Sequence, residues 1–212
     1  MKGGKNTNPK IVSPKKRAFF NEKAAIWDEI TVHNLKKVQY IVDQLRIQCD
    51  DRILDVGTGT GIMIPFYEKY LVNGCVVAVD YSEKMIEAAR SKFPEKEHPQ
   101  ISFVVSDVYN LKYDADFDLV VCYSSFPHFA DQSLAIKLLS KALRKGGRLA
   151  VAHSDSAKTI KGVHMNGGVE IGNDFLPSME RLKQLIKENG LDVIFERDDE
   201  NYFICIARKI VN

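Results

Sequence analysis

The run Ile53-Leu54-Asp55-Val56 leads without a break into Gly57-Thr58-Gly59-Thr60-Gly61-Ile62, and no other stretch restricts the fold so tightly. The apolar part reads as a buried strand. The glycines behind it let the chain turn sharply and let backbone approach a ligand, because no Cβ stands in the way. A strand that ends in such a loop belongs at the carboxyl edge of a parallel sheet, beneath a nucleotide-like ligand.

From Asp51 onward strands and helices alternate, the pattern of a mostly parallel sheet covered by helices on both faces. Residues 52–56, 75–80, 101–106, 117–123 and 148–153 read as strands. A helix is expected over 62–70, with Pro65 tolerated in its opening turn. Another is expected over 82–92, capped by Ser82 with Glu83 at its positive end. A third, capped by Asp131, carries Leu134, Leu138, Leu139 and Ala142 inward and stops at Gly146-Gly147. Pro177 and Ser178 open one more, with Met179, Leu182 and Ile186 on one face. Strands at 191–197 and 202–208 follow, and the short turn Asp198-Asp199-Glu200-Asn201 makes them antiparallel. Upstream, Leu35, Val38, Val42 and Leu45 mark an amphipathic helix over 33–48. Phe19, Phe20, Ala24 and Trp27 mark a shorter one over 18–30, placed to cover a pocket.

The expected organisation is one domain over 18–212, with N-terminal helices over 18–48 and a flexible tail over 1–17 that ends in the solvated trio Lys15-Lys16-Arg17. Residues 154–175 interrupt the alternation with polar and glycine-containing sequence. A connection of that length marks 154–176 as a lid or substrate loop. A chain of 212 residues fills one core rather than two. Its net charge of +2, without a long basic block, gives no reason to expect nucleic acid. No apolar run approaches the roughly 18 residues that cross a bilayer. The polar start Met1-Lys2-Gly3-Gly4-Lys5-Asn6 lacks the core of a signal peptide, so the expected address is the cytoplasm, with no membrane contact. Cys49, Cys75, Cys122 and Cys205 include no C-x-x-C pair, and neither disulfides nor a zinc ribbon are expected.

The dinucleotide fingerprint G-x-G-x-x-G needs a third glycine where Ile62 stands, and no G-x-x-x-x-G-K-[ST] occurs. The glycine loop is followed instead by Asp80 closing Val76-Val77-Ala78-Val79, by Tyr81-Ser82-Glu83-Lys84-Met85, by Ser106-Asp107-Val108 and by Phe117-Asp118-Leu119-Val120-Val121-Cys122. With these elements the chain resembles the class I S-adenosylmethionine-dependent methyltransferases, over nearly everything between Phe19 and Arg208. The resemblance implies a doubly wound, three-layer α/β sandwich of Rossmann-like type, with a mostly parallel seven-stranded sheet and an antiparallel C-terminal hairpin. It implies S-adenosylmethionine as methyl donor and S-adenosylhomocysteine as product. Asp80 would hold the ribose hydroxyls, a task that suits a carboxylate because it accepts two hydrogen bonds at once. Tyr81 and Met85 would flank ribose and adenine, Asp107 and the Val108 N–H would meet the adenine edge, and Cys122 would lie beneath the methionine part. Asp55, Gly57, Thr58, Gly59 and Gly61 would form the loop against the cofactor.

On this reading the protein holds an acceptor atom behind the methyl carbon, and needs a base only where the acceptor must lose a proton. The acceptor site is expected beyond 117–123 and 148–153, among Tyr123-Ser124-Ser125-Phe126-Pro127-His128-Phe129 and His153-Ser154-Asp155-Ser156. His128 and His153 are the candidate catalytic residues. His128 stands where relatives resembling the quinone-biosynthesis C-methyltransferases carry histidine, and His153 ends a strand at the expected crevice. The Asp/Asn-Pro-Pro-Tyr/Phe motif of amino-methylating relatives is absent, so the expected acceptor is a small molecule. His153, His164 and Asp174 suit a metal chemically, but their spacing is not diagnostic and no resident metal is expected. Three alternatives share much of the pattern: an NAD-dependent oxidoreductase, a non-catalytic S-adenosylmethionine-binding protein, and an RNA or protein methyltransferase.

Overall fold

Strands that carry apolar side chains on both faces must be covered on both faces, and the computed structural model, which describes residues 13–166 and 174–211, shows how. In chain order the elements are α1 (Pro14–Lys23), α2 (Trp27–Ile30), α3 (Leu35–Leu45), β1 (Arg52–Val56), α4 (Ile64–Glu68), β2 (Cys75–Asp80), α5 (Glu83–Lys92), β3 (Ile101–Val105), β4 (Phe117–Tyr123), α6 (Gln132–Ala142), β5 (Leu143–His153), α7 (Ala157–Asn166), α8 (Met179–Glu188), β6 (Leu191–Asp198) and β7 (Phe203–Lys209). The seven strands lie in the order β3-β2-β1-β4-β5-β7-β6. Strands β1 to β5 run parallel, and β7 runs antiparallel to both β5 and β6. This is the expected doubly wound sheet with a reversed C-terminal hairpin.

The period-2 alternation of each strand assigns its residues to layers. Ile53 of β1 and Leu119 and Val121 of β4 pack with Val38, Ile41 and Leu45 of α3 and with Ile64 and Tyr67 of α4. Leu54, Val56, Val120 and Cys122 face the other way, toward Ile136 and Leu139 of α6 and Leu182 and Ile186 of α8. Burying each such side chain contributes about 1.5–3 kcal/mol. Side-chain caps set the helix starts: Asn34 accepts from the Lys36 and Lys37 amides, Ser82 from Met85, Asp131 from Leu134 and Ser178 from Arg181. Each such cap contributes about 1 kcal/mol.

Several segments differ from expectation: the helix expected over 18–30 is interrupted by a tighter turn at Ala24–Ile26, and the one expected over 62–70 is confined to Ile64–Glu68. Helix α1 begins at Pro14, whose fixed φ suits a first turn. Lys16 and Arg17 therefore belong to a helix, where Lys16 pairs with Asp174 at 2.5 Å and Arg17 with Glu83 at 2.8 Å. The expected tail over 1–17 is corrected for 14–17, and residues 1–12 lie outside the described residues. Helix α6 ends at Ala142 rather than at the glycines, because Leu143 already pairs with Phe117 and β5 starts there, with a register shift before Leu119. Residues 157–166, expected as irregular chain, form α7: Ser156 Oγ accepts from the Thr159 amide, and Ile160 is buried. The rest of the expected lid, residues 167–173 with Gly167, Gly168 and Gly172, falls outside the described residues. Among the described residues no helix is long and apolar enough to cross a membrane.

Arg148 of β5 ties the sheet to α3. Its guanidinium donates to the carbonyls of Leu45 and Arg46 at 2.6 and 2.5 Å and to Asp51 at 2.5 Å, closing a helix end where Arg46 turns left-handed at φ 53°. Arg148 and Asp51 are both buried. Removing one partner of such a pair strands the other, so Arg148→Met is expected to lower stability by about 3–5 kcal/mol in urea unfolding.

Candidate functional site

Chain order reverses between β1 and β4: β1 leads outward to β2 and β3, whereas β4 leads the other way to β5. Ligands of open α/β sheets bind outside the carboxyl ends of strands at such a switch point. A cavity of about 360 Å³ lies there.

Its floor is the glycine loop. Gly57 takes φ +76°, and a Cβ on it would sit 2.3 Å from the Ser125 Cβ. The Gly57 and Thr58 amides both donate to the Val79 carbonyl, at 2.8 and 3.0 Å, which hangs the loop from β2. Ser125 Oγ in turn donates to the Val56 carbonyl at 2.6 Å. Gly59, at φ +57°, differs from its neighbours: an added Cβ would meet only Trp27 Nε1, at 3.8 Å, so this glycine leaves room for a ligand.

Asp80, at the end of β2, accepts from the Gly59 amide at 3.0 Å and the Ser82 amide at 2.8 Å. Burial pushes its carboxyl up to about 6, against the pull of those backbone donors. Asp107 caps the single turn that begins at Val108, accepting from the Tyr109 amide at 3.2 Å. Above the floor lie Tyr81 and Met85, roofed by Phe20, whose ring stands 5.8 Å from Tyr81 and 5.5 Å from Trp27. The Tyr81 hydroxyl is buried with no hydrogen-bond partner among the described residues, and burial raises it far above the ordinary phenol range.

The roof is fastened to the body. Arg17 and Asn21 of α1 donate to Glu83, and the Asn21 side-chain oxygen accepts from Ser82 Oγ at 2.6 Å and from the Lys84 amide at 3.2 Å. Asp174 joins Lys16 to His128 Nδ1, the latter at 2.7 Å, and the Phe20 ring stands 5.1 Å from His128. At the far end His153 closes β5, buried and 6.3 Å from the Phe203 ring.

Of the residues expected at the site, Gly57, Thr58, Gly59, Asp80, Tyr81, Met85, Asp107, Val108, His128 and His153 border this one cavity. Asp55, Gly61 and Cys122 do not. Asp55 lies beneath the loop, where its carboxylate accepts from Thr58 Oγ1 at 2.8 Å; burial pushes it up to about 7. Gly61 turns the chain against Phe93 and Ile64. Cys122 is sealed in the core, and burial pushes its thiol far up. Ser125 belongs to the segment expected on the acceptor side and is set by its fit to Gly57. Among the cavity residues that the sequence did not place at the site is His33. His33 lies between α2 and α3, its Nδ1 2.9 Å from the Tyr123 hydroxyl, and no periodicity or motif marks it. Among the described residues no group of three or more His, Cys, Asp or Glu is placed to hold a metal ion. The His164 side chain, one of the three considered for such a set, lies outside the described residues.

A family model described as a methyltransferase domain matches residues 53–147, the span from β1 into the start of β5. The chain is 29% identical over 191 residues to the 27-O-demethylrifamycin SV methyltransferase of Amycolatopsis mediterranei, covering 87% of this chain and 68% of that one. It is 29% identical over 133 residues to the malonyl-(acyl-carrier protein) O-methyltransferase of Priestia megaterium, covering 61% of this chain and 47% of that one. The chain thus spans about half the length of several curated relatives it matches. In fold it is similar to a chain in the complex between the Haloferax volcanii Trm112 methyltransferase activator and a methyltransferase, with a TM-score of 0.78 at 18% identity, covering 92% of this chain and 98% of that one.

The fit of Gly57 against Ser125 gives a direct test of the floor. Gly57→Ala combines a left-handed φ with a steric overlap and is expected to destabilise by about 2–4 kcal/mol. Adding Ser125→Gly removes the overlap and leaves the φ strain, so the double variant is expected to recover about half of that loss in urea unfolding.

Proposed function

Because the chain belongs to the class I S-adenosylmethionine-dependent methyltransferases, we propose that it transfers a methyl group from S-adenosylmethionine to a small-molecule acceptor and releases S-adenosylhomocysteine. The observation that carries the reading is the Gly59 and Asp80 pair: a glycine whose missing Cβ opens the floor, hydrogen-bonded to a buried carboxylate at the end of β2. The residues present suit the cofactor. Asp80 has lone pairs left to accept from two ribose hydroxyls. Asp107 and the Val108 amide stand at the neighbouring strand end, where an adenine edge can be read, and the buried Tyr81 hydroxyl supplies one more polar contact.

When bound, the sulfonium donor supplies a methyl group already activated for displacement. The protein's share is positioning and exclusion of water, which together can be worth about 7–11 kcal/mol of the barrier. Phe20, Trp27 and Met85 close over the nucleoside side and keep water from it. His128 and His153 stand on the acceptor side, His128 oriented through Nδ1 by Asp174 and His153 fixed by burial at the end of β5. The relative from Amycolatopsis mediterranei, named for methylation of a rifamycin, supports a small-molecule acceptor.

Two measurements test this. Asp80→Ala removes a charged acceptor, and each lost hydrogen bond of that kind is worth about 1.5–3 kcal/mol. Affinity for S-adenosylhomocysteine in titration calorimetry is expected to fall by about 10- to 150-fold, with circular dichroism unchanged; tight binding of NAD and none of S-adenosylhomocysteine would reverse the reading. The second uses pH. Burial pushes the Asp80 carboxyl up to about 6, and ribose donors favour its charged form and lower that value. Affinity should therefore be level above about pH 7 and weaken as pH falls through 6, by up to about tenfold per unit.

A further inference from the structure

We propose that His33 is the base that takes the acceptor's proton, and that the group it deprotonates is a hydroxyl carried on a mostly apolar body; this rests on the methyl-transfer reading above. His33 Nδ1 lies 2.9 Å from the Tyr123 hydroxyl, which lies 2.9 Å from Ser154 Oγ. This chain of three runs from the segment between α2 and α3 down onto the carboxyl ends of β4 and β5, and all three residues border the cavity. Tyr123 thus occupies one nitrogen of the ring, while Nε2 makes no hydrogen bond to any described residue. In the productive arrangement Nδ1–H donates to the Tyr123 oxygen, the Tyr123 hydroxyl donates to Ser154 Oγ, and the Nε2 lone pair is left for a ligand. Tyr123 is a positioning residue: it selects the tautomer in which Nε2 is basic.

The surroundings keep the ring in the form a base needs. Burial holds the imidazole below its ordinary range, and the charges of Asp155 and Asp28 oppose this without cancelling it. Asp28 is itself engaged by Lys92 and Thr60, and Lys37 is held at the Ser154 and Asn201 carbonyls. His33 is therefore neutral near pH 7.

A base selects its acceptor by chemistry. An aryl amine, neutral at pH 7, attacks without help, and a thiol ionises readily on its own. A hydroxyl is a poor nucleophile until its proton leaves, so it is the group that gains from a neutral imidazole. Ile30 and Val32, exposed at 53% and 85%, border the cavity on the same short segment as His33. They offer an apolar rim to the body of the acceptor. In the transfer, the acceptor oxygen forms a bond to the methyl carbon and the carbon–sulfur bond breaks, its electron pair staying on sulfur as a neutral thioether. The hydroxyl proton passes to Nε2 and then to water.

The test needs no known acceptor. In protein with 15N-labelled histidine, saturated with S-adenosylhomocysteine, ring nitrogen shifts at neutral pH are expected to show His33 protonated on Nδ1 and bare on Nε2. Tyr123→Phe should move the proton to Nε2. Phenol as a probe should shift the Nε2 resonance, toluene should not, and His33→Gln should weaken phenol binding about tenfold, the worth of one hydrogen bond. A wild-type ring protonated on Nε2 or on both nitrogens overturns the proposal, as does a tautomer indifferent to Tyr123→Phe. So do equal responses, or none, to phenol and toluene. Binding of S-adenosylhomocysteine in the same samples reports on the methyl-donor reading separately: if it binds and these signatures fail, only His33 is misassigned.

Discussion

The contact between Gly57 and Ser125 is the constraint from which the site follows. Strands β1 and β4 are parallel neighbours, with Asp55 opposite Val121, so the turn leaving β1 packs against the segment leaving β4. It can do so only at a residue with no side chain, since any Cβ there would overlap Ser125. The same turn brings the Gly57 and Thr58 amides onto the Val79 carbonyl, which fixes the loop to β2 as well. Once the loop is fixed at both sides, the Gly59 amide has one place to point, and Asp80 is there. A single missing methyl group thus sets the level of the floor on which a nucleoside would rest.

The roof is held differently. The pair between Arg17 and Glu83 is partly exposed, and pairs of that kind contribute little net stability. Burial of Phe20 and Ala24 against Met85 supplies most of what keeps α1 down, while the polar contacts of Asn21 and Lys16 decide where it sits. The roof rests on a small apolar cluster, so by its buried surface it is expected to open before the sheet does.

How much could be read beforehand followed the range of the forces involved. Strands β1, β2 and β4 were legible to the residue, because burial on both faces demands a continuous apolar run and turn residues flank each one. Helix α7 was not, because Gly162 and its polar neighbours hide one cap and one buried isoleucine. Asp80 and Asp107 were legible because strand ends at a parallel sheet's carboxyl edge face the crevice. Asp55 and Cys122 carry the same motifs but stand on the β1 and β4 strands themselves, where the pleat turns them away from the cavity. His33 was invisible for another reason: its partner Tyr123 is ninety residues away. Local pattern cannot report a contact that only the fold creates.

Two buried carboxylates beneath one loop raise the question of what each is for. Burial pushes Asp55 up to about 7 and Asp80 up to about 6, so ionising either in the folded protein is unfavourable. Natural folds tolerate such a burden where it serves a site. For Asp80 the burden is relieved by anything that donates hydrogen bonds from the cavity it borders. Asp55 has no such outlet, since it lies below the loop and does not border the site cavity. Its compensation comes from the Thr58 hydroxyl, at 2.8 Å, which holds the second residue of the loop down, and from the neighbouring Tyr67 hydroxyl. Asp55 therefore acts through the loop rather than on the ligand: it keeps the backbone at Gly59 where Asp80 can meet it.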